Sequence, residues 1–177
     1  MSQLKVNSIV PVGGLPSGAN GGIIQVVQAT QTSEVSTTGT SFVDTGLSGT
    51  ITPSSNSSKI LVMVTQRFFI SRSTDQARAG FQLLRGSTVI LTGPNTASGS
   101  EPGGEGFSSA NGPGAIQVAG AYSCSFLDSP STTSATTYKT QFANNQSSAS
   151  PTIFINSLSS NSGEDGVSTI TLFEVTT

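Results

Sequence analysis

Apolar residues in this chain fall in short runs separated by Ser, Thr, Asn and Gly, and several runs alternate strictly with polar positions. Ile23-Ile-Gln-Val-Val-Gln is β-branched, brief and preceded by glycines, the signature of a strand. Ser41-Phe-Val-Asp-Thr-Gly-Leu continues with a turn, and Thr50-Ile-Thr reads as a further short strand that Pro53 stops. The longest apolar run, Ile60-Leu-Val-Met-Val-Thr-Gln-Arg-Phe-Phe-Ile, predicts a strand buried on both faces. Between 115 and 127, Ile116, Val118, Tyr122, Cys124 and Phe126 share one parity, while Gln117, Ala119, Ala121, Ser123 and Ser125 share the other. Such a period of two directs the first set to a core. Tyr138 and Phe142 alternate with Lys139 and Gln141 in the same way, and Ile153-Phe-Ile and Ile170-Thr-Leu-Phe-Glu-Val close the chain. Nowhere do apolar residues recur at helical spacing. The pattern predicts an all-β, antiparallel β-sandwich of the jelly-roll kind over residues 23–177.

Two segments depart from it. Residues 1–22 carry Leu4, Val6, Ile9, Val10 and Val12 at extended spacing and are then broken by prolines and glycines, which predicts an extended N-terminal arm rather than a helix. Alone, such an arm buries too little to be ordered, so its apolar side chains are expected to dock on a larger body. Residues 92–114 are rich in Gly, Pro, Ser and Asn, with Glu101, Glu105 and the large apolar Phe107 among them. A loop this long predicts a contact-making surface.

Composition narrows the chemistry. Charged residues are 9% of the chain and the net charge is −2, which gives no long-range steering to nucleic acid or to an anionic membrane. No stretch has the apolar length of a membrane-spanning helix, and the N-terminus shows no apolar run of signal-peptide length. A chain without His lacks the commonest general base and the commonest transition-metal ligand. With a single cysteine, Cys124, neither an intrachain disulfide nor a thiolate cluster can form, and its parity assigns it to the core. No Ser-x-x-Lys or Gly-x-Ser-x-Gly pattern supplies an activated serine. The carboxylate pairs Glu101/Glu105 and Glu164/Asp165 sit in Gly-flanked loops that position them poorly for acid–base work on a glycoside. Residues 161–166 offer oxygen ligands for calcium without EF-hand spacing, and a polar hairpin turn is the better reading. A non-enzymatic protein without cofactor is therefore expected.

Seven stretches stand out together: Leu4-Lys-Val-Asn-Ser-Ile-Val-Pro-Val-Gly-Gly, Gly21-Gly-Ile-Ile-Gln-Val-Val-Gln, Ser41-Phe-Val-Asp-Thr-Gly-Leu, Ile51-Thr-Pro-Ser-Ser, Ser57-Ser-Lys-Ile-Leu-Val, Leu83-Leu-Arg-Gly-Ser-Thr and Ser168-Thr-Ile-Thr-Leu-Phe-Glu-Val. They resemble stretches of small virion proteins of tailed bacteriophages, particularly those of marine and cyanobacterial hosts. The resemblance implies a tail-fibre-like or other structural protein, made in the host cytoplasm and released in the virion by lysis. Its sandwich is similar to the trimeric jelly rolls of the complement C1q and tumour-necrosis-factor type. A homotrimer is thus expected, with Phe68, Phe69 and Phe173 at subunit contacts. Beyond itself, the chain is expected to meet other virion proteins of tail or capsid through the arm, and a host surface glycan or protein through the head. Capsid decoration, or a head fibre stabilising the shell, is the alternative role.

Overall fold

The computed structural model describes residues 22–72, 78–92, 107–108, 116–144, 151–157 and 166–176. The N-terminal strands are β1 (Ile23–Gln31), β2 (Val35–Thr37), β3 (Val43–Ile51) and β4 (Lys59–Arg72). Next come β5 (Arg78–Arg85), β6 (Thr88–Thr92), the two-residue β7 (Phe107–Ser108) and β8 (Ile116–Asp128). The chain closes with β9 (Thr136–Asn144), β10 (Thr152–Ile155) and β11 (Ser168–Val175).

Two antiparallel sheets result. In the first, β1 pairs β11 and β11 pairs β4; β10 and β2 continue the same rows beyond β11 and β1, and β8 pairs β4 over residues 60–72. The second runs β3-β9-β5-β6, with β7 beside β5. Counting only the eight strands of five or more residues, the first sheet is ordered first, eighth, third, sixth and the second sheet second, seventh, fourth, fifth. That interleaving, in which consecutive strands cross between sheets, is the jelly roll.

The inward parity of the long strands is mostly apolar and meets between the sheets. Val62, Ile170 and Leu172 from the first sheet and Leu47, Leu83 and Phe142 from the second are at most 1% exposed. Phe81 from the second sheet stacks on Tyr122 at 4.8 Å between ring centroids and tilts against Phe68 at 5.6 Å. The Phe68 ring lies over Gly120, where a Cβ would stand 2.6 Å from its Cζ, so β8 has glycine at the point where the ring needs room.

Polar side chains cross this core in three places. The first is a chain: Thr140 Oγ1 donates to Gln66 Oε1 at 2.9 Å, Gln66 Nε2 to Ser168 Oγ at 2.6 Å, and Ser168 Oγ to Asn156 Oδ1. Thr45 Oγ1 extends it at 2.6 Å from Thr140 Oγ1, so the chain joins β3 and β9 of one sheet to β4 and β11 of the other. The second is a knot on Asp128, whose carboxylate accepts from Arg85 Nη1 at 2.9 and 2.8 Å and from the Tyr138 hydroxyl at 2.7 Å. Burial, with the hydrogen bond to Asp128 adding to it, pushes the Tyr138 phenol far above its ordinary value. The third is Glu174, which accepts from the Ser54 N–H at 2.6 Å and from the Ser54 hydroxyl at 2.7 Å. Burial raises its pKa, but the hydrogen bonds from Ser54 and its neighbours outweigh it and leave the carboxyl below its ordinary value.

Three expectations need correction. The turn expected after Asp44 is a bulge inside one continuous strand. Gly46 takes φ +83 and the register with β9 shifts between Asp44 and Ser48, where β3 advances four residues against two of β9, so the two extra residues bulge around a left-handed glycine without ending the pairing. The long apolar run is buried on both faces only at Phe68, Phe69 and Ile70; before that β4 alternates, and Met63 is 47% exposed. Phe68 and Phe69, expected at subunit contacts, are 1% and 3% exposed within the single chain. Phe68 belongs to the core, and Phe69 packs on Phe154 at 6.0 Å on the opposite side of the sheet, so neither has surface left for a partner.

Candidate functional site

The two sheets turn different surfaces outward. On the β3-β9-β5 side the outward positions are polar: Thr50 and Thr137 share a 2.8 Å hydrogen bond and Lys139 pairs Asp44 at 2.7 Å. Exposed pairs of this kind contribute little and mark an ordinary solvated face.

The outer face of the β1-β11-β4-β8 sheet is built otherwise. Val26 stands opposite Phe173, Phe173 opposite Leu61, and Leu61 opposite Leu127, so one row of four apolar side chains crosses four strands. Val26 is 55% exposed and Leu127 is 50% exposed, while Phe173 and Leu61 are half-buried between them. Ile23 and Ile24, 60% and 50% exposed, extend the apolar surface at the start of β1. The next row is Gln28–Thr171–Met63–Ser125 and the one after it Thr30–Thr169–Thr65–Ser123. None of these twelve side chains is charged. A shallow depression of about 510 Å³ lies over the second and third rows, with Phe173 among its lining residues. Of the large hydrophobic residues conspicuously exposed among the described residues, Ile23, Ile24, Val26, Met63 and Leu127 lie on this one face, against Val43, Val89 and Val167 elsewhere.

The residues predicted from sequence distribute unevenly over this picture. Phe173, expected at a subunit contact, is half-buried in the middle of the apolar row. Cys124 is on the core side of β8 with Tyr122 and Phe126 and is half-buried. Phe107 contributes backbone to β7, where it pairs Ala79, and of the rest of the 92–114 contact surface only Thr92, at the end of β6, and Ser108 are described. Glu101 and Glu105, the arm residues Leu4, Val6, Ile9, Val10 and Val12, and Glu164 with Asp165 lie outside the described residues.

Val26, Leu61, Met63 and Leu127 were not singled out from sequence. Val26 and Leu61 sit in β-branched runs in which both parities are apolar, and such runs hide the outward residue. The available signal was Leu127, which breaks the polar series Gln117, Ala119, Ala121, Ser123, Ser125 on its own parity.

The fold and this face together define a class: a jelly-roll domain with one polar and one uncharged, partly apolar outer face. No protein-family profile matches the chain, and no curated protein matches it. Among solved structures the chain is similar to that of infectious bursal disease virus, Gt strain, at 12% identity and a TM-score of 0.31, covering 88% of this chain and 39% of that one. The Gx strain of the same virus gives 12% identity and a TM-score of 0.29, covering 86% and 40%. The chain thus spans about two-fifths of the length of these viral chains. At such scores the likeness carries no argument about this protein.

Proposed function

We propose that this chain is a non-enzymatic structural protein of a bacteriophage virion, a fibre-like adhesion module working as a homotrimer. Residues 1–22 anchor it to the particle through Leu4, Val6, Ile9, Val10 and Val12, and the jelly roll of residues 23–177 is presented to the host surface. The observation that supports it best is the uncharged row Val26–Phe173–Leu61–Leu127 on the outside of a complete sandwich. A domain that already closes its own core gains nothing alone from a further apolar row, whereas an assembled one does. The sequence resemblance to small virion proteins points the same way, and the 92–114 segment supplies the contact surface in this reading.

Gold-labelled antibody against residues 23–177, applied to intact virions and viewed by electron microscopy, tests it. Label at the tail is the expected result. Label spread over the head would replace adhesion with capsid decoration, and particles without label would overturn the virion assignment.

A further inference from the structure

We infer that the outer face of the β1-β11-β4-β8 sheet is covered in solution by a second copy of this chain, with the Val26–Phe173–Leu61–Leu127 row at the centre of the contact. The inference rests on the homo-oligomeric part of the proposed function and assigns a surface to it.

The first argument is what the face lacks. Charged groups on its outward parity of β4 are Lys59 and Arg67, at either end of the three uncharged rows. Two identical faces meeting over those rows bring no like charges together, a condition that most protein surfaces fail when paired with themselves. The low net charge of −2 adds little repulsion between whole copies.

The second is size. Four strands spaced about 4.8 Å apart, over the eight residues of β1 from Ile23 to Thr30 rising about 3.3 Å each, cover roughly 500 Å² of sheet plane. Side-chain relief raises the accessible area above that footprint, toward the roughly 800 Å² per partner of a standard interface.

The third is arrangement. The apolar row is flanked on one side by Ile23, Ile24 and Val175 and on the other by the hydroxyl- and amide-bearing rows, where Gln28 Nε2 already donates to Thr171 Oγ1 at 3.1 Å. An apolar centre passing into uncharged hydrogen-bonding groups is the composition of a subunit contact, and the depression beside Phe173 gives a partner side chain a seat.

Light scattering on the full chain at micromolar concentration tests the inference. The unaltered protein should show at least twice the 17.9 kDa of one chain, two copies being what a contact between two identical faces requires. Val26→Asp and Leu127→Asp each place a carboxylate at a position at least half exposed in the single chain, so the fold should survive, with its β-sheet circular dichroism retained and its mass reduced to that of one chain. Ser48→Asp, on the polar face, should leave the mass unchanged. A single-chain mass for the unaltered protein overturns the inference, as does an unchanged mass for both face variants. Peroxide oxidation of Met63 then identifies the occupant. Protection in a single-chain species would assign the face to residues 1–21 of the same molecule, and free oxidation would assign it to another virion protein. Unlabelled particles together with an intact oligomer would remove the virion reading while leaving this surface in place.

Discussion

Replacing Tyr138 by Phe removes one hydroxyl from the knot that ties β8 to the opposite sheet. The phenol donates to Asp128 Oδ2 at 2.7 Å, and both residues are shielded from water, Tyr138 at 0% and Asp128 at 7% exposure. A hydrogen bond to a charged acceptor contributes about 1.5–3 kcal/mol, and Arg85 remains to hold the carboxylate, so Tyr138→Phe should lose about 2 kcal/mol at pH 7. The loss has a pH signature. Because the folded-state pKa of Tyr138 is raised, the neutral phenol favours the native state; this contribution is complete below the unfolded value near 10 and declines as pH rises above it. Linkage sets the decline at about 1.4 kcal/mol per pH unit for one proton. Urea unfolding followed by circular dichroism, at pH 7, 9, 10.5 and 11.5 and one fixed protein concentration, gives both quantities. The gap between unaltered protein and Tyr138→Phe should stay constant to pH 9 and close by pH 11.5. A gap under 0.5 kcal/mol at pH 7, or one of constant size across the series, would refute the reasoning.

Gly120→Ala puts a Cβ 2.6 Å from the Phe68 ring and should cost about 1–3 kcal/mol through displacement of that ring, read as a lower urea midpoint with unchanged slope. Glu174→Gln should cost about 1–2 kcal/mol at pH 7, since the charge-assisted bonds from Ser54 are weakened. The folded pKa of Glu174 is lowered, so its contribution is present above the unfolded value near 4.3 and is lost as pH falls through the folded one; the gap between the variant and the unaltered protein should therefore narrow as pH is lowered below that unfolded value. Gln66→Leu strands Thr140 Oγ1 and Ser168 Oγ without their shared partner and should cost about 2–4 kcal/mol in the same urea assay.

Alternation was readable wherever one parity was polar. Strand β8 follows it throughout, with Tyr122 buried, Cys124 and Phe126 half-buried, and Gln117, Ser123 and Ser125 exposed. Strand β5 had no such signature: Arg78–Arg85 is buried at six consecutive positions because its outward residues Gln82 and Leu84 are covered as well. The bulge at Gly46 read as a turn because Asp-Thr-Gly is turn chemistry, and only the pairing of both flanks with β9 shows the strand continuing. The buried polar chain was illegible for a different reason. Gln66, Thr140 and Ser168 look like solvated sheet residues until three strands converge, since their hydrogen bonds span sequence separations of 74 and 102 residues. The assembly face suffered from the same non-locality: its row takes one residue from each of four strands.

That row is not an accident of strands sliding to bury other side chains. A shift of one residue in β11 would turn Phe173 inward and Leu172 outward, and the exchange of one apolar residue for another would cost little by itself. It would also rotate Ser168 and Glu174 out of the core, separating Ser168 from Gln66 and Asn156 and Glu174 from Ser54. Each of those broken pairs leaves a buried donor or acceptor unmatched, so the polar contacts at the two ends of the strand forbid the slip that the apolar residues would tolerate. With β11 pinned, Phe173 is held outward between Val26 and Leu61, and the exposed row follows from that register. An apolar surface fixed so firmly on the outside is a feature of the fold itself, which is why its partner is sought in a second chain rather than in a rearrangement of this one.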